Sequence, residues 1–402
     1  MGVRSAVSTI LRGRADPPPS PVAGGGQVYP TYVPYVSDAT TLGLSAVWRC
    51  VTLIADAISG CIWQEYDGPE TSPIVVPSSR LVRRPLATMS RREWTWRVVA
   101  TEALWNTCHL LHVGGTDLEG SPWSLLPIPP NAITPIDLGA DPWGLLPPQK
   151  YLVGDMPVDL SQLSIVHRAP FPGIPDHLAG LLKLARRSFG AYLAAESHLS
   201  RYWQNGGPTL TVLTTEQALT DPEAQQIGQA WVNRRALGAD FPAVLGKGAE
   251  AKPFGADPTT DSAIEARRDM LADIGRYFGV GEKLLNAPRT DSSSETYSNV
   301  EDEAVDLDRY TLAGYYGPIE DVISEVLPGD PIDGRRMRIS TTRLTQGSLE
   351  SRSRTWPALA GRKAIVTVDE ARLIGFGLPP LTAAQQAELT PEPAAAPQEA
   401  FA

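Results

Sequence analysis

The chain has 402 residues, of which 42% are hydrophobic, enough to bury the cores of two or three subdomains. Its net charge of −10 excludes a simple nucleic-acid-coating protein with a basic surface. No apolar run reaches the roughly 18–20 residues that span a bilayer, so no membrane partner is expected.

Arg4, Arg12 and Arg14 surround a weak apolar segment without a signal-peptide core, and residues 16–35 are rich in Pro and Gly, so residues 1–44 read as a flexible arm. The first helix is predicted from Ser45, with Trp48, Val51, Ala55 and Ile58 on its inner face and Gly60 closing it. A strand at Ile62 to Tyr66 follows. A second helix opens at Ser90, where Glu93 three residues on completes a capping box and Trp94, Val98, Leu104 and Trp105 face inward. Short strands broken by prolines come next: His109 to Val113, Trp123 to Ile128, Ala132 to Ile136, Lys150 to Val153 and Ser164 to Arg168.

From Leu178 to the Asn205-Gly206-Gly207 stop, the stripe Leu178, Leu182, Ala185, Phe189, Tyr192, Glu196, Leu199 and Trp203 predicts one unusually long helix. Its opposite face, with Lys183, Arg187, Gly190 and Arg201, is small or basic. A β-α-β module follows: a strand at Thr209 to Leu213, a helix at Asp221 to Leu237 with Pro222 in its first turn, and a strand pair from Pro242 to Phe254. Another long helix starts at the capping box Ser262 to Glu265, carries Ile264, Leu271, Ile274 and Phe278, and ends at Gly279.

Gly281 to Ser294 has no period and reads as a loop. A third long helix then places Tyr297, Val300, Ala304, Leu307 and Thr311 on one side and its acids on the other. Gly317-Pro318 is expected to kink or break it, because proline lacks the amide donor and crowds the preceding turn. Residues 291–330 hold eleven acids against Arg309 alone, a net charge equal to that of the whole chain. A strand at Arg338 to Leu344 and helices at Ser348 to Leu359 and Thr367 to Ile374 form a basic region, and the tail from Pro379 is too poor in large apolar residues to fold alone. The three cysteines Cys50, Cys61 and Cys108 are too scattered for a disulfide framework and read as core thiols in a reducing cytoplasm.

No constellation for catalysis stands out. Gly246-Lys247-Gly248 lacks the hydroxyl residue and the strand-to-helix context of a phosphate loop, and there is no GxSxG or HExxH. Cys108, His109 and His112 cluster, but on a strand the two histidines point to opposite faces. His167 and His198 are isolated. Glu301, Asp302 and Glu303 are consecutive and fan around a helix rather than converging; in one chain they are a solvated face, and in many copies around a shared cavity they are a negative wall.

The ordered series SAVWRCVTLIADAISGCIWQEY from Ser45, Arg83-Arg84-Pro85, LLPIPPNAI, Ile165-Val166-His167, WQNGGPTLTVL, IEARRDMLADIGRYFGV, TYSNVE and VDEARLIGFGLPPL resembles the portal proteins of long-tailed double-stranded DNA bacteriophages. Leu86 stands where that family commonly has Asn, Gly281 where Pro is expected, and the proline break of the acidic helix is displaced to Pro318.

The resemblance implies an α+β portal fold with an α/β wing, a two-helix stem, a small β-α-β clip, a long kinked tunnel helix and a helical crown. It assigns 45–175 to the wing, 176–206 and 258–280 to the stem, 207–257 to the clip, 281–294 to a tunnel loop, 295–328 to the tunnel helix, 329–346 to a strand returning to the wing, 347–378 to the crown and 379–402 to a disordered tail. The implied function is a ring, usually a dodecamer, at one capsid vertex of the virion, assembled in the host cytoplasm. Double-stranded DNA passes through it without base reading. A terminase, the major capsid protein or scaffold, and a head-completion adaptor are the other implied partners. Channel residues on this reading are Lys283, Asn286, Arg289, Thr290, Asp291, Ser292, Glu301, Asp302 and Asp306, and clip residues for adaptor docking are Thr220, Asp221, Gln225, Gln229, Arg234 and Arg235. No cofactor, metal or catalytic residue is implied. The alternatives are another capsid or connector component, or an enzyme with Cys108, His109 or the acidic helix as its site.

Overall fold

The computed structural model of the protein describes residues 36–69, 71–116, 120–137, 148–168, 180–204, 210–215, 220–236, 249–254, 261–285, 303–329 and 334–345, with positions 353, 356, 359–360, 367–372, 381–382 and 385. The Asn205-Gly206-Gly207 stop, the strand segment at 242–248 and most of the arm, tunnel loop, crown and tail expectations lie outside these residues.

The described elements begin with α1 (Asp38–Leu42), α2 (Ser45–Ser59), β1 (Ile62–Asp67), β2 (Ile74–Val76), α3 (Arg80–Arg83) and α4 (Arg91–Trp105). Strands β3 (Thr107–Thr116), β4 (Pro122–Ile128), β5 (Ile133–Asp137), β6 (Lys150–Val153), β7 (Met156–Asp159) and β8 (Leu163–His167) follow. Strand β3 lies between β4 and β8, and β6 between β5 and β7, all antiparallel.

Helix α2 buries Val47, Cys50, Val51, Ile54, Ala55 and Ile58 at helical spacing. Trp48, expected inward, lies on the flank of that stripe and is 56% exposed. Helix α4 packs on α2 and buries Trp94, Val98, Val99 and Leu104. Ser90 Oγ accepts from the Glu93 amide at 3.2 Å, but the Glu93 carboxylate turns to Arg97 at 2.8 Å instead of back to Ser90, so half the expected capping box forms. The charged partner one turn on gives that carboxylate a charge-assisted bond.

The expected single helix from Leu178 is divided into α5 (Leu181–Leu184) and α6 (Arg186–Gln204) at Ala185, which is fully buried. Gly180 sits so close to the end of α4 that an added Cβ would meet the Trp105 carbonyl at 3.0 Å, which pins the start of α5; the turn at Ala185 then lets Leu182, Phe189 and Tyr192 all reach the core. Gly190, assigned to the outer face, is buried as well. Next come β9 (Leu210–Thr215), α7 (Asp221–Ala236), β10 (Ala249–Phe254) and α8 (Asp261–Phe278). Strands β9 and β10 pair antiparallel, and α8 packs beside α6, with the Phe189 and Tyr277 rings 6.0 Å apart and Ser188 Oγ 3.0 Å from the Tyr277 hydroxyl.

Residues 303–307 are helical, and this helix widens into a π turn at Asp308–Leu312 and continues as α9 (Ala313–Val326) through Pro318. Of the kink or break expected at Gly317-Pro318, the break is absent. Glycine before the proline has no Cβ for the ring to strike, which removes the usual penalty on a helical residue at that position. The chain then enters β11 (Arg336–Ser340), which pairs with β1 in the register Gln64↔Arg338, giving a sheet ordered β11-β1-β2. Residues expected to extend that strand instead form a helical turn at Thr342–Thr345. One large apolar cluster joins α2, α4, β3, α6, α8, α9 and β11, while Ile128, Tyr151, Val153, Val158 and Leu163 form a smaller one under β5-β6-β7.

Candidate functional site

The junction between α8 and the helix from 303 onward carries the described members of the expected channel set. Helix α8 ends in a tight reversal: Val280 N–H donates to the Gly275 carbonyl at 2.9 Å and Gly279 N–H to the Arg276 carbonyl at 3.3 Å, the paired bonds of a Schellman stop. Gly279 has φ +74, and a Cβ there would lie 2.8 Å from Thr311 Oγ1. That hydroxyl donates to the Gly279 carbonyl at 2.6 Å, fastening the π turn to the reversal. Arg49 of α2 reaches across to donate to the Leu284 carbonyl at 3.1 Å, so the residues after the reversal are tied to the core.

Lys283 pairs with Glu303 at 2.9 Å, both side chains about one quarter exposed. An open cavity of about 440 Å³ lies here, lined by Ala272, Arg276, Val280, Glu282, Lys283 and Glu303. Asp306, one helical turn beyond Glu303, is exposed. Asn286, Arg289, Thr290, Asp291, Ser292, Glu301 and Asp302 lie outside the described residues.

The acids of this region do not form one solvated face. Asp308 accepts from Thr341 Oγ1 at 2.8 Å, and Glu320 is buried and accepts from the Ile339 amide at 2.6 Å and from Arg338 at 3.1 Å. Burial raises the Glu320 carboxyl above its usual range, against the lowering effect of these partners. With Glu303 paired to Lys283, the exposed negative charge of the described stretch is carried by Asp306, Asp321 and Glu325.

Deeper in, Tyr315 of α9 accepts from Arg168 at 2.6 Å and lies under its guanidinium at 4.1 Å, while its own hydroxyl donates to the Phe278 carbonyl at 3.4 Å. Burial pushes the Tyr315 phenol up to about 12 despite Arg168. Beside them Glu102 is buried, both carboxylate oxygens without a hydrogen-bond partner, and desolvation raises its carboxyl well above the usual range more than Arg168 lowers it.

The expected clip residues occupy a different place. Thr220, Asp221, Gln225 and Gln229 are exposed at the start and along α7, and Glu223 accepts from both the Thr220 amide (2.9 Å) and its hydroxyl (2.7 Å), capping the helix. Arg234 and Arg235 are in α7, with side chains outside the described set.

The alternative catalytic cluster does not assemble. Cys108 is buried and its thiol is raised far above the usual range, mainly by desolvation, which keeps it protonated and unreactive. His112 Nε2 and Ser164 Oγ are hydrogen-bonded at 2.9 Å, and the His109 ring stacks edge-on against Tyr151. Among the described residues no group of three His, Cys, Asp or Glu is arranged to hold a metal, and no helix is long and apolar enough to cross a membrane.

The sequence profile of the family described as phage portal protein matches residues 45–374. The chain is 23% identical over 378 residues to the portal protein of Enterobacteria phage HK97, covering 89% of this chain and 84% of that one. It is 23% identical over 194 residues to the probable portal protein of Streptomyces phage phiC31, covering 48% and 42%. Among solved structures it is similar to an HK97-family phage portal protein from Corynebacterium diphtheriae, with TM-score 0.55 and 15% identity over 77% of this chain and 96% of that one. It is also similar to a chain of the native gene transfer agent virion, with TM-score 0.55 and 19% identity over 94% and 100%. A third likeness is to a chain of the native gene transfer agent neck computed with C12 symmetry, with TM-score 0.53 and 19% identity over 85% and 92%.

Proposed function

The chain belongs to the phage portal protein family, and from that premise we propose that twelve copies close into a ring at one capsid vertex, with double-stranded DNA passing through the centre during packaging and ejection. The family match across residues 45–374 carries this reading. The twelvefold neck that contains a chain of the same fold supports the copy number.

On this reading residues 45–175 together with β11 are the wing, α6 and α8 the stem, 207–257 the clip, 281–294 the tunnel loop, 295–328 the tunnel helix and 347–378 the crown. The side-by-side packing of α6 and α8, with the β9-α7-β10 module between them in sequence, supports the stem and clip assignment. Lys283, Asn286, Arg289, Thr290, Asp291, Ser292, Glu301, Asp302 and Asp306 line the conduit, and Thr220, Asp221, Gln225, Gln229, Arg234 and Arg235 face a head-completion adaptor. A terminase supplies the motive force, and assembly takes place in the host cytoplasm beside the capsid protein.

The chemistry asked of the protein is non-covalent. A conduit must not hold what it passes: each neutralised phosphate adds counterion-release affinity, so a basic wall would stall the duplex, and exposed carboxylates repel it. The Lys283–Glu303 pair fits this, because a paired lysine presents little net charge to a passing backbone. Asp302→Lys together with Asp306→Lys is expected to leave ring assembly intact and to slow packaging of linear DNA into capsids, an effect that lessens as salt is raised. Packaging at the wild-type rate with both lysines in place would remove this face from the conduit.

A further inference from the structure

Residues 80–92 hold five arginines, Arg80, Arg83, Arg84, Arg91 and Arg92, and no acid, in a chain whose net charge is −10. The segment is anchored from within. Leu81, Val82 and Leu86 are buried, Ser79 N–H donates to the buried Glu65 carboxylate at 2.5 Å, and Leu125 N–H donates to the Pro85 carbonyl at 2.9 Å. With the apolar residues turned into the core, Arg80, Arg83 and Arg84 are left on the surface, where with Ala87 they line an open cleft of about 480 Å³.

Arg80 extends this cleft toward an aromatic. Its guanidinium lies 4.5 Å over the Trp123 ring and donates to the Trp123 carbonyl at 2.5 Å, and it also borders an adjoining cavity of about 120 Å³ with Trp123, Leu327 and Pro328. Arg84 is held by a bond to the Met89 carbonyl at 3.3 Å. Among the described residues no carboxylate comes within ion-pair distance of Arg80, Arg83, Arg84 or Arg92. A concave surface of guanidinium groups with no carboxylate partner among the described residues, on an acidic protein, is a site for a polyanion.

We propose that this cleft docks the phosphate backbone of double-stranded DNA, apart from the residues assigned to the conduit. The cleft itself is lined by three arginines and one alanine. Its three guanidinium groups meet negative charge, and phosphate contacts of this kind position a duplex without reading bases. The choice of DNA as the polyanion rests on the portal reading; the cleft's charge and shape do not.

The test uses relaxed, closed-circular plasmid DNA, which has no end to thread through a closed ring, so that any binding reports a surface outside the conduit. The purified full-length protein is expected to retain the circles at 50 mM salt and to lose most of that affinity by 200 mM. Arg83→Ala with Arg84→Ala should weaken binding by about tenfold and reduce the slope of log K against log salt by about two, while Arg83→Lys with Arg84→Lys keeps most of the slope. Should the double alanine variant fail to fold, Arg83→Ala alone, which breaks no hydrogen bond among the described residues, should reduce the slope by about one. Closed circles that wild type does not bind, or binding and slope unchanged in the alanine variants, would overturn the proposal. So would displacement of the circles by polyglutamate at equal charge concentration, which would give the cleft to an acidic protein. Packaging of linear DNA that proceeds despite any of these results leaves the conduit standing, so the two readings fail separately.

Discussion

Gly279 and Glu102 show how much of the fold around the end of α8 and the core beside it depends on single residues. At Gly279 the backbone is left-handed and the space beside it is filled by Thr311, so any Cβ meets both strain and a collision. Gly279→Ala is expected to cost about 1–3 kcal/mol and to be read as a lower midpoint in denaturant unfolding. Stability equal to wild type would show that the reversal relaxes more easily than its bonds imply. The glycine was legible in the sequence as a helix stop; the threonine thirty-two residues on that fills the space beside it was not, because that contact exists only after the two helices meet.

Glu102 makes a prediction in pH. Its folded-state carboxyl is raised by desolvation, so the folded protein holds the proton more tightly than the unfolded chain. Its contribution is therefore most favourable where both states are protonated and declines as pH rises past the ordinary glutamate value of 4.5. Glu102→Gln should flatten that decline and raise stability at pH 7 relative to wild type, measured as unfolding midpoints from pH 4 to pH 8. A profile parallel to wild type would mean that the buried carboxyl does not titrate with folding. A glutamate three residues before the end of a helix gives no sequence sign of being buried.

At the scale of elements, the attachment of α9 to β11 rests on Glu320, which satisfies the Ile339 amide inside the core and holds Arg338 at its rim. Glu320→Ala leaves that buried amide without an acceptor and is expected to cost about 1–3 kcal/mol. Arg338→Ala, at a side chain 44% exposed, should cost less than about 1 kcal/mol. Comparable losses from both would shift the weight from the buried amide to the ion pair. Helices α2, α4 and α8 were legible because each buries a periodic stripe and carries a local stop or cap. The π turn at Asp308–Leu312 was not, since its reasons, Thr311 reaching Gly279 and Asp308 reaching Thr341, are contacts between segments remote in sequence. The break at Ala185 was missed for the same kind of cause, Gly180 against Trp105, whereas the continuity through Pro318 has a local reason, the neighbouring Gly317 with no Cβ for the proline ring to strike. Strands β2 and β7 are three and four residues long, too short for alternation to show.

For the whole molecule, the sequence carried the order of the parts better than their charges. Eleven acids in 291–330 read as one negative surface, yet Glu303, Asp308 and Glu320 are engaged inside the fold, and the exposed charge falls to fewer positions. A charge count cannot separate carboxylates that hold the fold from those that face solvent; only burial does. The same fold leaves Arg80, Arg83, Arg84 and Arg92 on the surface with no carboxylate partner among the described residues, so the molecule presents acidic and basic regions that its net charge conceals.

The proposed function requires a closed ring around a conduit. Single-particle electron microscopy of the purified full-length protein tests it most directly, through class averages of end-on views. Rings of twelve subunits around a central hole, with the helix bearing Asp306 facing that hole, are expected. Particles that remain monomeric under every assembly condition, or rings whose hole is lined by other elements, would contradict it.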